Sequence, residues 1–119
     1  MAAVALLLLA GCSRPDPNRA VCDDYESALV PLTAALAATQ DDPNTLSDPA
    51  VGVALTQVSQ TLFGLSSRAT PPVSDALQAL ATAMVQVATA PARDKKVWFQ
   101  QLLVGRNRLT GLCAAIPRQ

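Results

Sequence analysis

Three cysteines, nine carboxylates and a scatter of serines are the side chains with which this chain of 119 residues could do chemistry, and it has no histidine. That absence excludes a Ser-His-Asp triad, a Cys-His pair and any imidazole metal site. The cysteines are Cys12, Cys22 and Cys113, and no two stand in the Cys-x-x-Cys spacing of a redox-active pair. Asp23, Asp24 and Glu26 are the densest acidic cluster. As paired carboxylates they would do acid–base work. At the start of a helix they read instead as partners of its positive dipole end. No carboxylate stands alone in an apolar stripe, so none has a reason to titrate high. Ser59, Ser66, Ser67 and Ser74 have no base partner and no Gly-x-Ser-x-Gly turn. The five glycines form no phosphate-cradling loop. The chain is therefore expected to be non-enzymatic, with no cofactor and no metal.

The elements that must carry these residues follow from hydrophobic spacing. Half of the chain is hydrophobic, too much for a disordered polypeptide, and 12.4 kDa suffices for one packed domain. Nine basic and nine acidic residues cancel, which removes the electrostatic footprint of a nucleic-acid binder. A first helix is expected from Arg19 to Thr39, capped by Asn18, with Cys22, Tyr25, Leu29, Leu32 and Leu36 on one face. Pro31 lies nearly opposite that face and predicts a solvent-side kink rather than a break. Gln40 to Leu46 reads as a loop. A second helix starts at Asp48-Pro49 and carries the stripe Val51, Leu55, Val58, Leu62, Leu65. A third starts by the same logic at Thr70-Pro71, with Val73, Leu77, Leu80, Met84 and Val87 inward, and stops at Thr89-Ala90-Pro91. The fourth runs from Ala92 to Ala115 with Trp98, Leu102, Gly105, Leu109, Leu112 and Ile116 inward. No stretch alternates as a strand would.

Residues Ala2 to Ala10 are an unbroken apolar run ending in Leu9-Ala10-Gly11-Cys12. The run is too short to span a bilayer and suits the apolar core of a secretory signal. Its end resembles the lipobox of bacterial lipoproteins. The resemblance implies a diacylglyceryl group on the Cys12 thiol, fatty acylation such as palmitate, and cleavage before Cys12. It also implies export, with the chain held by lipid on the outer face of the plasma membrane, in the cell envelope. No Lys or Arg precedes Cys12, whereas such signals ordinarily begin with a basic stretch. Either the start codon lies upstream or the signal is unusually bare. Residues 1–11 are then a signal peptide, 12–18 a lipid-anchored tether, and 19–119 the helical domain. In composition and layout the chain is similar to small, Ala-rich exported lipoproteins of actinobacterial and mycobacterial type. That wider likeness carries no functional residues with it.

With Cys12 committed to lipid, Cys22 and Cys113 remain as an even pair in an oxidising setting. Cys22 opens the first helix and Cys113 closes the fourth. Four amphipathic helices with short connections predict an all-α, up-down-up-down bundle, which brings those two ends to one pole. A Cys22–Cys113 disulfide is expected there. Charges agree with that topology: Asp23, Asp24 and Glu26 would face Arg106 and Arg108, while Asp41 and Asp42 would face Arg93, Lys95 and Lys96 at the other pole. The basic cluster at the far pole has a second reading, as a contact for anionic lipid headgroups.

The fourth helix has more apolar surface than one stripe requires. Phe99 and Leu103 lie roughly 100° to 140° round from Trp98. They either pack against a second neighbour or the Gln40–Leu46 loop, or form a surface for a partner protein or lipid. Two functional readings follow. One is an envelope-anchored, non-enzymatic interaction domain whose partner is an unknown envelope protein. The other is a carrier that holds a lipid or other apolar ligand within the bundle, for which a continuous apolar pocket would speak.

Overall fold

A computed structural model describes residues 16–41 and 43–116 and shows an all-α fold of four helices. They are α1 (Pro17–Asp41), α2 (Pro49–Ser66), α3 (Val73–Thr89) and α4 (Ala92–Ala114), with a 3₁₀ turn at Pro43–Ser47 between α1 and α2. Among the described residues there is no strand, and no helix is long and apolar enough to cross a membrane.

Helix α1 begins two residues before Arg19. Asp16 is its cap: the Asn18 N–H donates to Asp16 Oδ1 at 2.8 Å, and the Arg19 N–H donates to the Asp16 carbonyl at 2.9 Å. Pro17 occupies the first helical position, where its missing N–H costs nothing. The same device opens α2, where Asp48 Oδ1 accepts from the Ala50 N–H at 2.9 Å and Pro49 follows the cap. Asn18 is thus not the cap, and Pro17 and Asn18 lie within the first turn of α1. Pro31 falls on the exposed side of α1, and the helix continues through it to Asp41. The hydrogen bond that proline removes therefore faces water.

Helix α3 starts at Val73 and not at Thr70-Pro71. Thr70 is already engaged by α1, and Pro71-Pro72, joined by a cis peptide bond, forms the turn ahead of the helix. Ala90 and Pro91 separate α3 from α4, as the spacing predicts.

The core is built from the stripes. All five predicted inward residues of α2 and all five of α3 are buried. Cys22, Tyr25 and Leu32 of α1 and Leu102, Leu109 and Cys113 of α4 join them. Leu29, Trp98, Leu112 and Ile116 pack against this core while partly exposed. The Leu36 side chain lies outside the described set. Helix α2 packs on α3, α3 on α4, and α1 chiefly on α2. The 3₁₀ turn touches all four helices and buries Leu46 among them. Helices α3 and α4 meet with Gly105 against Leu80, where an added Cβ would make ordinary van der Waals contact at 3.4–3.6 Å.

Candidate functional site

Cys22 and Cys113 form the disulfide that joins α1 to α4, with their Cα atoms 5.7 Å apart. The antiparallel run of four helices makes it possible, because the start of α1 and the end of α4 share one pole. Other contacts converge there. The Arg19 guanidinium reaches the carbonyls of Cys113 and Ile116 at 3.4 and 3.3 Å, a cation on the last turn of α4. Asn18 is buried and bridges to the α2–α3 connection: its Nδ2 donates to Thr70 Oγ1 at 3.0 Å, and its Oδ1 accepts from the Thr70 N–H at 2.9 Å. Asp24 pairs with Arg68 of the same connection at 2.9 Å. The first two turns of α1 are thereby tied to every element that ends at this pole. Cys12 lies outside the described residues.

The acidic cluster takes other roles than the spacing suggests. Because α1 begins at Pro17, its first turn holds no acid, and the dipole effect has faded by Asp23. Asp23 pairs with Arg19 at 3.0 Å on its own helix, and Asp24 pairs with Arg68. Neither pairs with Arg106 or Arg108 of α4, whereas Glu26 and Arg106 both lie close enough to Tyr25 to act on its hydroxyl. At the other pole, Lys95 donates to the carbonyls of Val87 at 2.6 Å and Ala88 at 3.3 Å, closing the end of α3. Arg93 stands 3.9 Å from Asp94 of its own helix. The side chains of Asp41 and Asp42 lie outside the described set.

Burial perturbs the titration of Tyr25. Loss of water raises its pKa above the usual 10.0, opposed by the neighbouring Thr110 hydroxyl and the positive charge of Arg106. Its hydroxyl lies near Thr110 but meets no hydrogen-bond geometry, and it is buried without a partner among the described residues. Three of the four candidate serines spend their hydroxyls on helix carbonyls: Ser59 on Thr56, Ser66 on Phe63 and Ser67 on Gly64, each at 2.7 Å. Among the described residues no group of His, Cys, Asp and Glu could hold a metal ion.

Phe99 and Leu103 are half-buried and pack against the core. The open apolar surface of α4 lies elsewhere, at Val97 and Val104, which are 59 % and 62 % exposed. They flank a groove of about 830 Å³ between α3 and α4. Its floor is made of small residues, Ala76, Ala79, Ala83 and Gly105, with Trp98 and Val97 at one end and Asp75 and Arg108 at the other. The heptad interval from Val97 to Val104 and the alanines of α3 were the legible signals for it. No protein-family model, no curated protein and no solved structure matches this chain.

Proposed function

We propose that the chain is an exported lipoprotein, anchored through Cys12 to the outer face of the plasma membrane, whose helical domain is a non-enzymatic interaction module of the cell envelope. The observation that carries this reading is Leu9-Ala10-Gly11-Cys12 at the end of the apolar run Ala2 to Ala10. The Cys22–Cys113 disulfide suits the oxidising compartment that export implies. Only Ser13, Arg14 and Pro15 separate Cys12 from the cap of α1. Four Cα steps span at most about 14 Å, so anchoring at Cys12 would hold the disulfide pole close to the bilayer. The ties between α1 and its neighbours at that pole would pass the anchor's constraint to the whole domain. An interaction role also accords with the buried stripes of the core. A carrier that opens its interior would have to displace the packed stripes of α2 and α3.

The test is metabolic labelling with a fatty acid. Wild-type protein should carry the label, and Cys12→Ala should lose it and persist as an uncleaved or soluble product. Undiminished label on Cys12→Ala would overturn the anchored reading.

A further inference from the structure

The α3–α4 groove is charged at one end and uncharged along the rest of its length, where alanines, valines and Trp98 are joined by Gln78, Thr82 and Gln101. Gly105 sits against Leu80, which sets the register of the two antiparallel helices. From that level Asp75 lies five residues toward the start of α3, and Arg108 three residues toward the end of α4. Both displacements run to the disulfide pole, and at a helical rise of ~1.5 Å per residue the two charges are level to within ~3 Å along the axis. Neither makes an ion pair among the described residues. Away from them the lining carries no charge. Val97 and Arg108 stand eleven residues apart, so the lining on α4 runs ~16 Å. The volume of about 830 Å³ falls in the range of small-molecule sites.

We propose that this groove binds one zwitterionic phospholipid. An acyl chain lies over Ala76, Ala79 and Ala83 between Val97 and Val104. The headgroup sits at the charged mouth, its phosphate on the Arg108 guanidinium and its ammonium on the Asp75 carboxylate. The lengthwise polarity selects this occupant over a helix. An amphipathic helix carries its charges along its flanks, and the flanks here are Gln78, Thr82 and Gln101. One positive and one negative group at the mouth match a headgroup that bears both signs. The inference deepens the interaction reading by naming a partner, and rests on the anchored reading for one feature only, that the mouth faces the bilayer.

The test uses the full chain carrying Cys12→Ala, so that no covalent lipid competes. The probe is phosphatidylethanolamine with a photoactivatable acyl chain in phosphatidylcholine vesicles, with crosslinked residues mapped by mass spectrometry. Crosslinks are expected on residues 76–83 and 97–104. Ala79→Phe, which fills the groove from an exposed position, should abolish them while leaving the thermal melt unchanged. Thr82→Trp is the second filling variant should Ala79→Phe melt early. Arg108→Gln should weaken labelling ~tenfold, the scale of one lost charge-assisted hydrogen bond. A phosphatidylglycerol probe, lacking the ammonium, should label less than phosphatidylethanolamine in the wild type and equally in Asp75→Asn. Crosslinks confined to the first fifteen residues would overturn the proposal. So would labelling that both filling variants leave intact, or a dimer that Ala79→Phe dissociates. Because the variant has no anchor, failure of the anchored reading in the fatty-acid experiment leaves this result standing on its own.

Discussion

Asn18 joins α1 to the α2–α3 connection with both ends of its amide, and it does so while buried. An isolated amide in an apolar site would be costly, whereas one satisfied on both atoms specifies a single docking of α1. Asn18→Ala removes both bonds and strips the Thr70 N–H of its acceptor. We expect a loss of about 1–3 kcal/mol, read from urea unfolding followed by circular dichroism. Tyr25 presents the opposite case, a buried hydroxyl without a partner. Tyr25→Phe should leave stability at neutral pH unchanged or slightly higher. The difference widens in alkali. The folded pKa is raised, so Tyr25 contributes stability that is complete below its unfolded value of 10.0 and is lost as pH rises toward the folded pKa. Unfolding of wild type and Tyr25→Phe at pH 8 and pH 11 should therefore diverge, with the variant keeping more of its stability at pH 11.

At the scale of the element, α2 and α3 were legible in full as stripes because both flanks of each pack on neighbours and leave the apolar residues at regular helical intervals. Their starts were not equally legible. Asp16-Pro17 and Asp48-Pro49 are the same cap, yet the first stands beside Pro15 and reads as an extended tether. Thr70-Pro71 looks like a third, but Thr70 serves Asn18, a partner 52 residues away that no local pattern reveals. Helix α4 has the least regular pattern, because its two sides meet different surroundings. Leu103 packs on the core, so Leu103→Asp places a carboxylate against apolar neighbours. A thermal melt should show destabilisation by several kcal/mol, approaching the roughly 3–5 kcal/mol expected for Trp98→Ala. An unshifted melt would return Leu103 and Phe99 to the solvent face as a partner surface.

The whole molecule is closed by one covalent bond between its first and last helices. Helix α1 packs mainly on α2 and meets α4 sparingly, so the Cys22–Cys113 bridge supplies much of what holds the ends together. It spans a sequence separation of 91. Loop closure over that length contributes roughly 4–5 kcal/mol in the chain-entropy treatment. The double variant Cys22→Ser, Cys113→Ser should lose up to about that amount, a large part of a small domain's stability. Non-reducing peptide mapping of the wild type should recover the two cysteines as one linked pair. Free thiols at both positions would count against the topology as well as the bond.

Composition and spacing alone determined that the chain is helical and which residues of α2 and α3 face inward; that Cys22 and Cys113 meet followed from the antiparallel order once the resemblance at Cys12 set that cysteine aside. Each follows from local periodicity or from the parity of four antiparallel helices. The sequence also contains Leu9-Ala10-Gly11-Cys12, on which the proposed anchoring rests and on which the fold has no bearing. Only the tertiary structure decided the partners of charged and polar side chains. Asp24 takes Arg68, Arg19 takes the end of α4, Lys95 takes the end of α3, and Asn18 takes Thr70. Long flexible side chains reach several neighbours at similar energy, and which one they meet depends on packing distances that helical periodicity does not encode. The groove is of the same kind. Its alanines, valines and two end charges lie on separate helices, and they became one surface only when α4 packed on α3 with Gly105 against Leu80.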